Sequence, residues 1–220
     1  MPTTRRWFRN FVATAVVALS VAALAVANPG HAADRGESIS SGEILPFDPN
    51  ASCEAINEWI AVNRERLPSI LGAVERYPMR YRRAIVASLP LETRIALWTA
   101  HIDVILGSET LDDDERQFLR ATRERIPGWL RLPPDRDADR RIREEAVEAL
   151  GMELAHRAIA TLGRAETRSQ SSPPLDCSCS RQSDWCSAGA DCESLSCNVV
   201  SGCGTVWMYN CDGLCYRDQK

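Results

Sequence analysis

Between residues 48 and 163, apolar positions recur at helical spacing and prolines fall between the apolar stripes. Ala55, Ile56, Trp59 and Ile60 share one face of a helix expected to begin near Ser52, a residue type that caps helix starts. A second helix is expected over 68–77. Pro78 ends it, because the residue before a proline avoids the α region. A third runs over 79–89. Pro90 opens a fourth, which reaches Leu106 on a stripe of Ile95, Leu97, Trp98, Ile102 and Ile105 and stops at Gly107. After Pro127, Pro133 and Pro134 the longest helix is expected over 137–163, with Ile142, Val147, Leu150, Leu154, Ala158 and Leu162 on one face. Roughly 110 residues of this kind can bury one core and fold as an all-α helical bundle.

Asp112, Asp113, Asp114 and Glu115 precede the apolar Phe118 and Leu119. Carboxylates at a helix start accept the free N–H groups and oppose the positive end of the dipole. Neither the glycine turn nor the alternating ligand spacing of a cation loop follows, so capping is the reading. Cys53 stands apart from the chain's other thiols, and a nucleophile pair with His101 or His156 is conceivable. No motif surrounds it, so a structural helical thiol is the expectation. The segment carries no phosphate loop, HExxH or GxSxG motif, and neither catalytic nor metal-binding residues are expected.

The chain's start has a different pattern. Arg5, Arg6 and Arg9 precede an uncharged run of 17 apolar and small residues, 11–27. Two small-x-small sites follow, Ala25-Val26-Ala27 and Gly30-His31-Ala32, with helix-breaking Asn28-Pro29 between them. This is the organisation of an export signal, expected to span 1–33, with a disordered segment over 34–47. The run lies at the short edge of what spans a bilayer. Net charge is −4, with every basic residue but Lys220 an arginine and the charges interspersed, so no nucleic-acid partner is expected.

Residues 164–176 read RAETRSQSSPPLD, polar and without periodicity. That is an exposed linker and a possible processing site, where Arg164 and Arg168 suit a trypsin-like protease. Beyond it the composition changes abruptly. Eight of the nine cysteines fall in the last 44 residues: Cys177, Cys179, Cys186, Cys192, Cys197, Cys203, Cys211 and Cys215. So short a segment needs cross-links or a metal to hold it. Zinc fits poorly, because the spacing C-x-C-x6-C-x5-C-x4-C-x5-C-x7-C-x3-C contains no C-x2-C pair and the tail has no histidine. An exported chain meets oxidising conditions, so disulfides are expected, with the pairing left open. Turn formers dominate between the cysteines, and 205–209 (TVWMY) is a short strand candidate. Trp207 and Tyr209 then flank Met208 and point to one face as a possible target contact. From Leu175 onward six acids face three basic residues, which argues for a specific target over charge-driven membrane attack.

Cys177-Ser178-Cys179-Ser180, Ser183-Asp184-Trp185-Cys186 and Gly202-Cys203-Gly204-Thr205, followed by Trp207 and Tyr209, resemble the fulvocin C-related bacteriocins. The first three cysteines share that family's spacing. Cys211 and Cys215 depart from it, being separated by three residues instead of lying one apart. The likeness covers about the last 44 residues, and the YPMRYRRAIVASLP stretch also looks like the upstream region of such precursors. It implies a secreted antibacterial peptide made as a precursor: an all-α pro-region, then a small disulfide-rich C-terminal domain with little regular structure beyond a short β-hairpin. The implied partners are a processing protease and the bacterial cell envelope or a receptor on it, with no cofactor. The competing expectation is an uncleaved secreted protein whose tail is an adhesion or recognition module.

Overall fold

The structure is a computed structural model that describes residues 44–108, 110–164, 176–187, 190–194 and 196–216. The expected export signal, most of the segment after it and residues 165–175 of the expected linker lie outside them.

Helix α1 (Cys53–Val62) starts at Ser52, whose Oγ accepts the Ala55 N–H at 3.2 Å, and buries Ile56 and Ile60. The second expected helix is only one turn, α2 (Leu71–Val74). Its apolar residues are too few to hold more against the core, and Leu71 and Val74 do all its burying. Pro78 then leads into α3 (Met79–Ser88), which buries Tyr81, Arg82, Ile85 and Val86.

Helix α4 (Leu91–Ser108) is the centre of the core, with Trp98 and Ile102 fully buried. It pairs antiparallel with α5 (Asp113–Arg131). Arg123 contacts Asp103 and Arg131 contacts Glu92 at opposite ends of the pair. The acidic cluster is a capping box: the Glu115 N–H donates to Asp112 Oδ1 at 2.8 Å, and the Asp112 N–H donates to Glu115 Oε2 at 2.9 Å. Pro127 does not end α5. The helix runs through it, with buried Ile126 on one side and Leu130 on the other fastening both halves to the core.

The longest expected helix is shorter and broken. Helix α6 (Arg136–Ala155) leaves helical geometry at Gly151 (φ 72°), and a π-helical turn, His156–Ala160, follows before the chain becomes extended at Thr161. An aromatic group of Phe47, Trp59, Tyr77 and Tyr81 pins the chain ahead of α1, where the hydrophobic pattern indicated no structure. There the Leu45 N–H donates to Tyr77 Oη, and Tyr81 Oη donates to the Asp48 carbonyl.

The cysteine-rich part has two nested antiparallel pairs. β2 (Val200–Cys203) pairs with β3 (Tyr209–Cys211) as an inner hairpin, and β1 (Asp191–Glu193) pairs with β4 (Leu214–Tyr216) outside it. All eight tail cysteines are bridged: Cys177–Cys197, Cys179–Cys192, Cys186–Cys215 and Cys203–Cys211. Cys53 is a free thiol. Cys211 and Cys215 serve different bridges, and the residues between them make a turn in which the Gly213 N–H bonds the Cys179 carbonyl. Sulfurs of Cys179, Cys186 and Cys215 lie within 4.8 Å of one another. They belong to two bridges packed side by side, and bridged sulfur is not the thiolate that binds metal.

The strand expected over 205–209 is instead a 3-10 turn, Thr205–Trp207, ahead of β3. Val206 and Trp207 both take positive φ, 42° and 56°, a conformation that β-branched and bulky residues rarely adopt. Propensity favoured strand here, and packing overrode it. The side chains of Trp185, Val206 and Trp207 join the same buried core as those of the helices, and the described residues form one compact unit.

Candidate functional site

The candidate site is the face on which the cysteine-rich part meets the helical part. It follows from how the helical segment ends. The last carbonyls of a helix have no partner within it, and burial demands that something else donate to them. Three side chains donate here, two to carbonyls of the last turn and one to carbonyls of the extended chain just beyond it. The Trp207 indole N–H donates to the Ala160 carbonyl at 2.9 Å. His101 Nε2 bonds the Arg157 carbonyl at 2.9 Å. Arg82 Nη1 donates to the carbonyls of Leu162 and Arg164, at 3.4 and 2.6 Å. The first of these donors belongs to the tail.

Trp207 sits edge-on to Trp98, with ring centroids 5.6 Å apart. Beside it the Trp185 indole N–H donates to Thr205 Oγ1 at 3.1 Å, and the Trp185 ring faces His156. The Thr205 N–H in turn donates to Ser183 Oγ at 3.0 Å. Each hydroxyl thereby accepts one bond and keeps its own hydrogen, and both lie beside the buried carboxylate of Asp139 on α6. Burial pushes the Asp139 carboxyl above its ordinary range, against the pull of Ser183, Thr205 and Arg143. Tyr209 faces the same helix start, and its phenol is pushed up to about 12 by burial and by Asp139 and Asp135.

A second anchor lies at the tail's first described residue. Asp176 forms an ion pair with Arg80 of α3, and Arg80 Nη1 also donates to the Ala51 carbonyl at 2.6 Å. The Cys53 thiol donates to Asp176 Oδ1 at 3.2 Å. Burial and the neighbouring carboxylate push this thiol above its ordinary pKa, with Arg80 acting the other way. It is therefore a protonated hydrogen-bond donor, poorly suited to nucleophilic attack. A cavity of about 300 Å³ opens here, lined by Cys53, Met79, Arg80, Asp176, Val199 and Val200 among others. Further along α3, Arg83 runs against the tail backbone. A Cβ on Gly202 (φ 89°) would stand 2.7 Å from Arg83 Cγ, so only glycine lets the two parts approach this closely.

The structure separates the sequence candidates. The eight cysteines form the tail's frame. Trp207 and Tyr209 do not share one exposed strand face. Trp207 enters the helical core and Tyr209 packs on the start of α6, and both are about 5% exposed in the intact chain. Cys53 meets neither histidine. His101 is held between the Arg157 carbonyl and the Gly163 N–H, and His156 contacts Thr161. Sequence reasoning missed Arg80, Asp176, Asp139 and Ala160, because charge and helix-end signals do not reveal partners more than 40 residues away. No described helix is long and apolar enough to cross a membrane. No family model, curated protein or solved structure matches this chain.

Proposed function

We propose that the chain is the precursor of a secreted antibacterial peptide, with the active part at its cysteine-rich C-terminus and the helical part serving as pro-region. One observation carries this reading: all four disulfides lie within the tail, and none ties it to the helical part. Cutting the single connecting segment therefore leaves a peptide whose covalent frame is already complete. The apolar run at 11–27 and the bridged cysteines both suit export to an oxidising compartment. In this reading the chain is not an enzyme and takes no cofactor. A protease is its processing partner, and the bacterial envelope or a receptor on it is the target.

The alternative, an uncut recognition module, draws on Val199 and Tyr216, apolar tail residues that stay exposed (62% and 46%) while the tryptophans are covered. Mass spectrometry of exported material separates the two. A fragment of the tail's mass carrying four bridges supports the precursor, and the long chain alone supports the module.

A further inference from the structure

We infer that the helical segment is a binding protein for the tail, one that keeps hold of it after the linker is cut, so that liberation requires a second, separate step. This rests on the precursor reading for what is being held silent, but the binding itself stands on geometry alone. Two residues of α3 hold the two ends of the connecting segment, Arg82 the end that stays with the helical part and Arg80 the end that leaves with the tail. Arg82 Nη1 donates to the Arg164 carbonyl at 2.6 Å, and Arg80 pairs with Asp176. Scission anywhere over 165–175 removes neither contact. Of the two, the Arg80–Asp176 pair joins the parts, and the contacts of Trp185, Val206 and Trp207 lie further from the cut.

Those contacts have the anatomy of a specific interface: buried aromatic anchors within a polar surround. Trp185, Val206 and Trp207 are 4%, 1% and 5% exposed and share one core with the helices. The polar surround comprises Trp207 to Ala160, Arg80 to Asp176, and the Ser183 and Thr205 hydroxyls beside Asp139. The turn that delivers Trp207 is strained, since Val206 and Trp207 both hold left-handed backbone. Such a conformation persists where its surroundings over-determine it, and here the docked indole adds to the Cys203–Cys211 bridge that closes the same loop. The bound tail is thus held in a shape that the free tail has reason to leave. The same apolar residues, uncovered, are the surface a bacterial target would meet. The helical segment therefore acts as a stoichiometric cap that works without covalent attachment.

The test uses the oxidised full chain with a specific-protease sequence inserted after Ser172, cut to completion. Its bridges are mapped before and after cutting, and the products are followed by native mass spectrometry and gel filtration. The expected result is a 1:1 complex of the two pieces that survives dilution. Trp207→Ala should weaken it roughly a hundredfold or more, as loss of a buried aromatic anchor does. Arg80→Glu, which lies outside the tail and leaves its fold alone, should weaken it about tenfold, as expected for a partly buried charge pair. Separation of the wild-type pieces on cutting, or a complex in both variants as tight as wild type, overturns the inference. Growth inhibition by the same samples distinguishes the two readings. A cut but undivided complex that kills as well as separated tail refutes the cap. A stable complex whose separated tail kills nothing supports the binding protein and refutes the toxin.

Discussion

The indole N–H of Trp207 satisfies the carbonyl of Ala160, so a residue of the cysteine-rich tail completes the end of the helical segment. The pairing joins a need created by one part, an orphan helix-end acceptor, to a donor supplied by the other. Trp207→Ala should therefore destabilise the whole unit, by about 3–5 kcal/mol for a fully packed aromatic. Trp207→Phe, which keeps most of the ring but not the donor, should cost about 1–3 kcal/mol. Denaturant unfolding monitored by near-ultraviolet circular dichroism checks both. Peptide mapping should find the four bridges intact in each.

Arg80 and Asp176 should be coupled. Arg80→Ala removes the ion pair and the bond to the Ala51 carbonyl, whereas Asp176→Ala removes the pair and the acceptor of the Cys53 thiol. With side chains 21% and 14% exposed, the pair is only partly screened, and each single change should cost about 1–3 kcal/mol. A double-mutant cycle should return a coupling of about 1 kcal/mol or more; additivity would remove the pair from the account.

Cys53 should be the one thiol that alkylates without reductant, and slowly at neutral pH, because its pKa is raised by burial and by Asp176. Asp176→Asn should speed the reaction, since it removes the charge that disfavours the thiolate. Mapping of the other eight should return Cys177–Cys197, Cys179–Cys192, Cys186–Cys215 and Cys203–Cys211.

Acid should loosen the structure through its two described histidines. Burial lowers the pKa of both His101 and His156 below the ordinary 6.5, with Arg83 adding to the effect at His156. The folded state therefore binds fewer protons, and the stability present above pH 6.5 is lost as the pH falls below it. Asp139 acts oppositely. Its raised pKa makes its burial cheaper as pH falls through its folded pKa, which offsets part of the histidine effect. His156→Gln should flatten the fall in melting temperature between about pH 7 and 5.

Much of the helical part was legible because its signals are local. Ser52 and the Asp112–Glu115 box announce helix starts through backbone chemistry that needs no distant partner. The tail's step in cysteine content likewise marked a cross-linked unit, though pairing depends on three-dimensional approach and stayed closed to sequence. Two of the failures share one cause. Pro127 reads as a break and Thr205–Trp207 as a strand, yet each is overruled by burial, that of Ile126 and Leu130 in the core in one case and the docking of Trp207 on Ala160 in the other. The same blindness hid the candidate site. A Trp-Met-Tyr stretch looks like an offered surface until the helix end that receives Trp207 is in view.

Whether the tail is the antibacterial unit is tested by the growth of a broad bacterial panel exposed to tail cut from the oxidised chain and separated from the helical part with its bridges kept. The separated tail should inhibit at least some strains, the uncut chain should inhibit them less, and reduction of the bridges should abolish the inhibition. A correctly bridged tail that slows no strain would contradict that role.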